Sequence, residues 1–319
     1  MSARSSLRLS ERMADLGLAL AIVAIVTALL ILSPAFRDPA NLMGIGRQVA
    51  ILGIAAAAMT FVILMGEIDL SVGAVASAAA VVTALALAQG WGVWAIPIAI
   101  LVGTVFGLLN GVLVVALGVP AFIATLVSFF LAQGVALTLT GGQTILFAAD
   151  WFRSLFATGS FLGQRAAFWW LVAVFVLMGW LLARTRFGAQ VRAIGGDAEA
   201  SAMLGLPVAR VKLLVFTLTG ALMGLVGMIL IARIGNARAD GAIGLEFDAI
   251  AAAVIGGTRL GGGYGSIPRT ALGVLLIGIL NNGLAIMNVD FNTQQVIKGA
   301  LVVGVVLIDR WARGKGGTT

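Results

Sequence analysis

The chain is a succession of apolar runs, most of them about as long as a lipid bilayer is thick, separated by polar gaps that are mostly short. At 1.5 Å per helical residue, roughly 20 apolar residues cross a hydrocarbon core of about 30 Å. That ruler gives about ten candidate spans, near Leu16–Leu32, Gln48–Met65, Val72–Gln89, Trp94–Leu117, Ala121–Thr140, Ala167–Ala183, Leu213–Ala232, Phe247–Thr258, Ile267–Asn288 and Gln294–Ile308. Within lipid a backbone must satisfy its own hydrogen bonds, and runs of this length do so as helices. The expectation is an all-α integral membrane protein. The eighth run is too short to cross and is flanked by Gly256, Gly257, Gly261, Gly262, Gly263 and Gly265. It is expected to be a short or re-entrant helix, a form tolerated only inside protein.

Composition narrows the chemistry. Only 10% of residues are charged, against about 25% in soluble domains, and the 42 glycines suit membrane helices that pack backbone to backbone. With no cysteine and no histidine, thiol and imidazole catalysis and the usual transition-metal sites are excluded. The net charge of +7 comes from basic residues scattered through the gaps, not gathered on a face that would bind nucleic acid.

Residues 1–15 carry Arg4, Arg8 and Arg12 and precede an apolar run with no small-residue cleavage site, which predicts a cytoplasmic tail and a retained first span. Residues 16–310 form the transmembrane domain, with a long polar loop at 184–212, and 311–319 form a second tail. Placing both tails in the cytoplasm puts 13 basic residues inside and 6 outside, with Lys298 in the last span, as the positive-inside rule requires. Gly107-Leu108-Leu109-Asn110 and Gly278-Ile279-Leu280-Asn281 share a Gly-x-Leu-Asn pattern five spans apart. An odd offset reverses direction through the bilayer, so the pattern suggests an inverted repeat.

The most informative polar segment is Gly66-Glu67-Ile68-Asp69-Leu70-Ser71-Val72-Gly73. An ionised group at mid-bilayer costs about 2.5–3.5 kcal/mol on insertion scales, so these side chains must face water or protein. Two readings stand: a cytoplasmic turn in which Asp69 or Ser71 caps the next helix, or a gate lining a pathway. Asn110, Gln133, Asn281, Asn282, Asn288, Gln294, Gln295 and Lys298 also fall within or beside spans, as interhelical hydrogen-bond partners or as pathway lining. The glycine-rich stretch Gly256–Gly265 lacks the Gly-Lys-Ser/Thr ending of a phosphate loop. It is read as a flexible connector near the gate, and the chain is not expected to hydrolyse ATP.

Gly66–Gly73, Val119–Leu126, Arg186-Phe187-Gly188, Ala193–Gly205 and Val254–Ser266 together resemble the permease subunits of bacterial ribose-type sugar ABC importers, and the likeness runs from about Asn41 to Asp309. The resemblance implies a multi-pass inner-membrane permease working as a dimer by alternating access. A periplasmic binding protein would deliver a monosaccharide, and separate cytoplasmic ATP-binding subunits would hydrolyse ATP. It further implies that Asp197, Glu199, Ala200, Met203 and Gly205 belong to a short coupling helix that docks on the ATPase. Asp197 would cap that helix, Ala200 and Ala202 would allow close approach, Met203 and Leu204 would form an apolar knob, and Gly205 with Pro207 would end it. Ser201 departs from the usual alanine there. Glu67, Asp69 and Ser71 are expected at the inner gate, with Asn110 and Asn281 along the pathway. Lipid and a second permease copy are the remaining partners; no catalytic residue, metal or cofactor is expected. The alternative is an ion-coupled secondary transporter of a small polar solute, which would need ionisable groups at mid-membrane.

Overall fold

The structure, a computed structural model, describes residues 19–304 apart from 21, 291, 295, 298, 301 and 302. Helix α1 (Ile22–Leu32) leads through a 3₁₀ turn into α2 (Pro39–Leu64). After a non-helical stretch come α3 (Val72–Ala88), α4 (Ala95–Val115) and α5 (Ala121–Thr140). The loop that follows holds β1 (Ile145–Leu146), α6 (Asp150–Arg153), a π turn, β2 (Ser160–Phe161) and β3 (Gln164–Arg165). Then come α7 (Ala166–Arg184), α8 (Arg186–Gly196), α9 (Ala198–Met203), α10 (Val208–Ile234), β4 (Asn236–Ala237), α11 (Leu245–Ile255) and α12 (Ile267–Ile286). The strands form two small antiparallel pairs, β1 with β4 and β2 with β3.

Among the described residues, six helices are long and apolar enough to cross a membrane, and Ile22–Leu32 and Val72–Ala88 are shorter apolar helices. The run Phe247–Thr258 becomes α11, whose 11 residues reach about 16 Å, roughly half a hydrocarbon core. Most of Gln294–Ile308, with Lys298, and both tails lie outside the described residues.

Packing follows from side-chain size. The central helices are apolar all round, so no stripe marks an outer face; α3 is buried along nearly its whole length, while α4, α5 and α7 turn apolar side chains outward. Helix α4 lies on α10 through glycines at four-residue spacing. A Cβ at Gly103 would fall on the carbonyl oxygen of Gly220, and one at Gly107 on that of Phe216. One at Gly227 would stand 2.6 Å from the Ala76 carbonyl oxygen on α3. Removing side chains at these points brings backbones into contact, which is how membrane helices gain packing energy where lipid offers no hydrophobic drive. The packed pairs also exchange: α4 on α10 corresponds to α12 on α2, and α3 on α10 to α11 on α2. Gly278 of the second Gly-x-Leu-Asn block meets Val49 of α2, as Gly107 of the first meets α10.

Candidate functional site

One end of the bundle carries α8 and α9. Asp197 caps α9 as expected, its Oδ1 accepting a hydrogen bond from the Ala200 amide at 2.9 Å. The helix stops after six residues, and Gly205 follows at φ +78°, a left-handed conformation that glycine adopts without penalty. Glu199, Ala200 and Ala202 are exposed, and Met203 and Leu204 project at 78% and 83% exposure. Ser201 is the residue turned inward, at 4%, so its departure from alanine lies on the permease side of the helix. Two large apolar side chains on a short capped helix form a knob that water does not favour and a groove would.

The segment after α2 is not a solvated turn. Asp69 is 2% exposed and Ser71 1%. The Ser71 amide and hydroxyl both donate to Asp69 Oδ1, at 2.8 and 2.6 Å, and the Asn110 amide donates to Ser71 Oγ at 2.9 Å. Thr125 Oγ1 accepts from the Leu70 amide at 3.1 Å. Ser71 therefore precedes α3 without capping it through its side chain, and the capping role expected of Asp69 or Ser71 gives way to a buried network across α3, α4 and α5. Asn110 stands five residues before the end of α4, so the network sits about 7.5 Å inside that end. Glu67 lies nearer the surface, paired with Lys212 at the start of α10.

Asn281 does not join this cluster. It lines a separate cavity of about 420 Å³ in the opposite half of the bundle, with Gln48, Arg233, Asp248, Gln294 and Gly241–Leu245. Its neighbour Asn282 binds Asn41 and Gln48, joining α12 to α2 as interhelical amides do.

The glycine-rich stretch is packed rather than a loose connector. The Gly263 amide donates to the Leu64 carbonyl at 2.8 Å. A Cβ on Gly262 would stand 2.9 Å from the Gly66 nitrogen, and a Cβ on Gly195 would fall on the Leu64 carbonyl oxygen. Three chain segments thus meet backbone to backbone: the end of α8, the loop after α11, and the start of the 66–71 segment. Tyr264 closes the junction beneath the Arg259 guanidinium, 4.6 Å from its ring centre.

The family profile for the branched-chain amino acid transport system / permease component matches residues 41–306. The chain belongs to this permease family. It is 40% identical to the ribose import permease protein RbsC of Bacillus subtilis, covering 93% of each chain. It is 37% identical to RbsC of Escherichia coli K12 over 91% of each, and 33% identical to the L-arabinose permease AraH of Azospirillum brasilense over 94% of this chain and 88% of that one. A solved structure described as an inward-facing metal-chelate type ABC transporter superposes with a TM-score of 0.55, covering 93% of this chain and 99% of the other at 18% identity. That likeness concerns the fold.

Three functional candidates of this permease were missed in the sequence. Lys212 looked like one of several loop cations, and Thr125 like an ordinary helix residue. Glu246 fell just before the run that begins at Phe247, although carboxylates at Glu246 and Asp248 at the start of an apolar stretch are themselves a signal. In the structure Glu246 is 2% exposed; its Oε1 accepts from the Gly244 amide at 3.0 Å. Its Oε2 has no hydrogen-bond partner among the described residues and lies against Gly73 in the first turn of α3.

Proposed function

We propose that this chain is the membrane subunit of a bacterial ABC importer that carries a monosaccharide of the pentose class. Full-length identity to ribose and arabinose permeases carries the reading, and the exposed, capped α9 supports it as the surface where a separate ATP-binding subunit docks. A substrate-binding protein delivers the sugar from the other side of the inner membrane. Two copies face each other, lipid covers the outward faces of α4, α5 and α7, and both tails, residues 1–15 and 311–319, are cytoplasmic. The basic residues Arg186, Arg192, Arg210, Lys212 and Arg259 gather at the α9 end, which supports that orientation. The contact pattern that exchanges α2–α4 with α10–α12 supports two inverted repeats within a ten-span plan.

A neutral polyhydroxy solute needs weak, replaceable hydrogen bonds along its path. The cavity lined by Asn281 and Gln48 suits such a solute on the outer side. The Asp69–Ser71–Asn110 network, with Glu67 paired to Lys212, forms the inner gate, and the glycine junction joins that gate to the coupling helices.

The test is reconstitution with ATP-binding subunits and binding protein. ATP-dependent pentose uptake that persists when ion gradients are collapsed, and that leucine does not compete, is the expected result. Uptake driven by an ion gradient instead would favour a secondary transporter. Gly205→Asp has open space for its side chain and costs about 1–2 kcal/mol for a left-handed backbone, so the fold survives. It should nevertheless lose co-purification of the ATPase and all uptake; retained co-purification would move the docking site elsewhere.

A further inference from the structure

Beyond α10 the chain does not simply loop back. Gly235 turns at φ +86°, β4 pairs with β1 of the loop after α5, and the chain then runs into the bundle until Gly244, at φ +94°, starts α11. Where it reaches α3 it is held at two points. The Ala242 amide donates to Ser77 Oγ at 2.9 Å, while Ser77 itself donates to the Gly73 carbonyl at 3.0 Å. Glu246 binds the Gly244 amide with one oxygen and rests the other against Gly73. On its other side, Gly241–Leu245 forms a wall of the cavity that holds Asn281. The segment is therefore a partition, with the outer cavity on one side and the first turn of α3 on the other, immediately next to Ser71 and Asp69.

We propose that Gly241–Glu246 is a movable barrier latched to α3 by Ser77 and Glu246, and that the latch opens in each transport cycle. This rests on the importer reading above and adds positioning residues to it. Three features suit motion. Gly235 before the segment and Gly244 within it stand at positive φ, and such glycines can act as hinges. The segment bears on α3 at two positions, through one hydrogen bond to Ser77 and through the Glu246 carboxyl and the Ala242 carbonyl against Gly73. The Glu246 oxygen without a partner makes the closed arrangement costly, so a second arrangement that hydrates or pairs it lies within reach of a small differential interaction. The β1–β4 pair ties the segment to the loop at the face opposite α9. A protein docking there would pull on the barrier directly, just as α8 bears on the 66–71 segment from the other end.

The chain has no cysteine, so Ser77→Cys combined with Ala242→Cys supplies the only thiols. The double variant is reconstituted in the full transporter and compared with itself, oxidised and reduced. Oxidation should cross-link the pair, reduce sugar uptake to background and abolish stimulation of ATP hydrolysis by loaded binding protein, and reductant should restore both. Uptake by the oxidised form at the rate of the reduced form overturns the proposal, as does failure of the pair to cross-link. If the wild-type chain, reconstituted with the same partners bound, moves no sugar, the importer reading falls instead. As a second measure, Glu246→Ala should raise ATP hydrolysis in the absence of sugar, and Glu246→Gln, which keeps an acceptor for the Gly244 amide, should restore the low basal rate. Wild-type basal hydrolysis in Glu246→Ala would remove Glu246 from the latch.

Discussion

Two non-helical segments penetrate the bundle from opposite ends and meet at the start of α3, and they are built differently. Residues 66–71 arrive from the α9 end with both carboxylates and one backbone amide held: Glu67 by Lys212, the Leu70 amide by Thr125, and Asp69 by the Ser71 amide and hydroxyl. Residues 235–244 arrive from the other end, paired with β1 through β4 and joined to α3 by one hydrogen bond to Ser77, and deliver Glu246 with an oxygen that lacks a partner among the described residues. The network around the first segment also leaves one oxygen so placed, Oδ1 of Asn110 on α4, but an amide oxygen is far less costly to strand than a carboxylate oxygen. A satisfied network is a rigid reference, whereas a loosely held segment is the part that moves.

Gly73→Ala would break this comparison most severely, because Gly73 is the point where the segments touch. Its Cβ would collide with Glu246 Oε2 and stand 2.5 Å from the Ala242 carbonyl oxygen. Overpacking of this kind costs at the upper end of about 1–3 kcal/mol. Uptake should be lost and the melting temperature of the purified permease lowered; normal uptake would mean that the two segments are already apart in the working protein.

Asp69→Asn probes the satisfied side alone. The amide oxygen can still accept from Ser71, so the fold is kept, but the acceptor becomes an amide oxygen and the second carboxyl oxygen is replaced by an NH2 donor. A loss of about 1 kcal/mol shifts a two-state ratio roughly five-fold. The expected readout is more ATP hydrolysed per sugar moved, with the preference between two competing sugars unchanged. A changed preference with coupling intact would place Asp69 in the sugar's path.

Lys212→Met should have the smallest effect. The pair with Glu67 is about one-fifth exposed on each side, and its loss should cost about 1 kcal/mol or less once solvent screening is allowed for. Stability should fall slightly in thermal unfolding of the purified permease, with uptake retained. Abolished uptake would show that the rigidity of the 66–71 segment depends on this pair rather than on the deeper network.

Helix α9, proposed above as the coupling helix, was legible because everything that defines it is local. A cap at Asp197, small residues through the middle, an apolar pair and a left-handed glycine fall within nine consecutive residues, and the structure adds only that Ser201 faces inward. The glycine-rich stretch after α11 was read as loose because its composition is that of a loop. The contacts that pack it, with Gly195 and Leu64, come from far away in the chain.

The sequence by itself determined a helical membrane protein, the short helix α11 and the capped, exposed α9, because apolar run length and helix capping are properties of neighbouring residues; its motif blocks carried the resemblance to a permease family. Only the tertiary structure decided which groups meet inside. Ser71 and Asn110 are 39 residues apart and Glu67 and Lys212 145 apart, and Glu246 reaches Gly73 across the whole middle of the chain. Helices that are apolar on every side carry no stripe to say which face turns toward which neighbour. Those choices rest on where glycines let backbones touch and on where a few buried polar groups find partners.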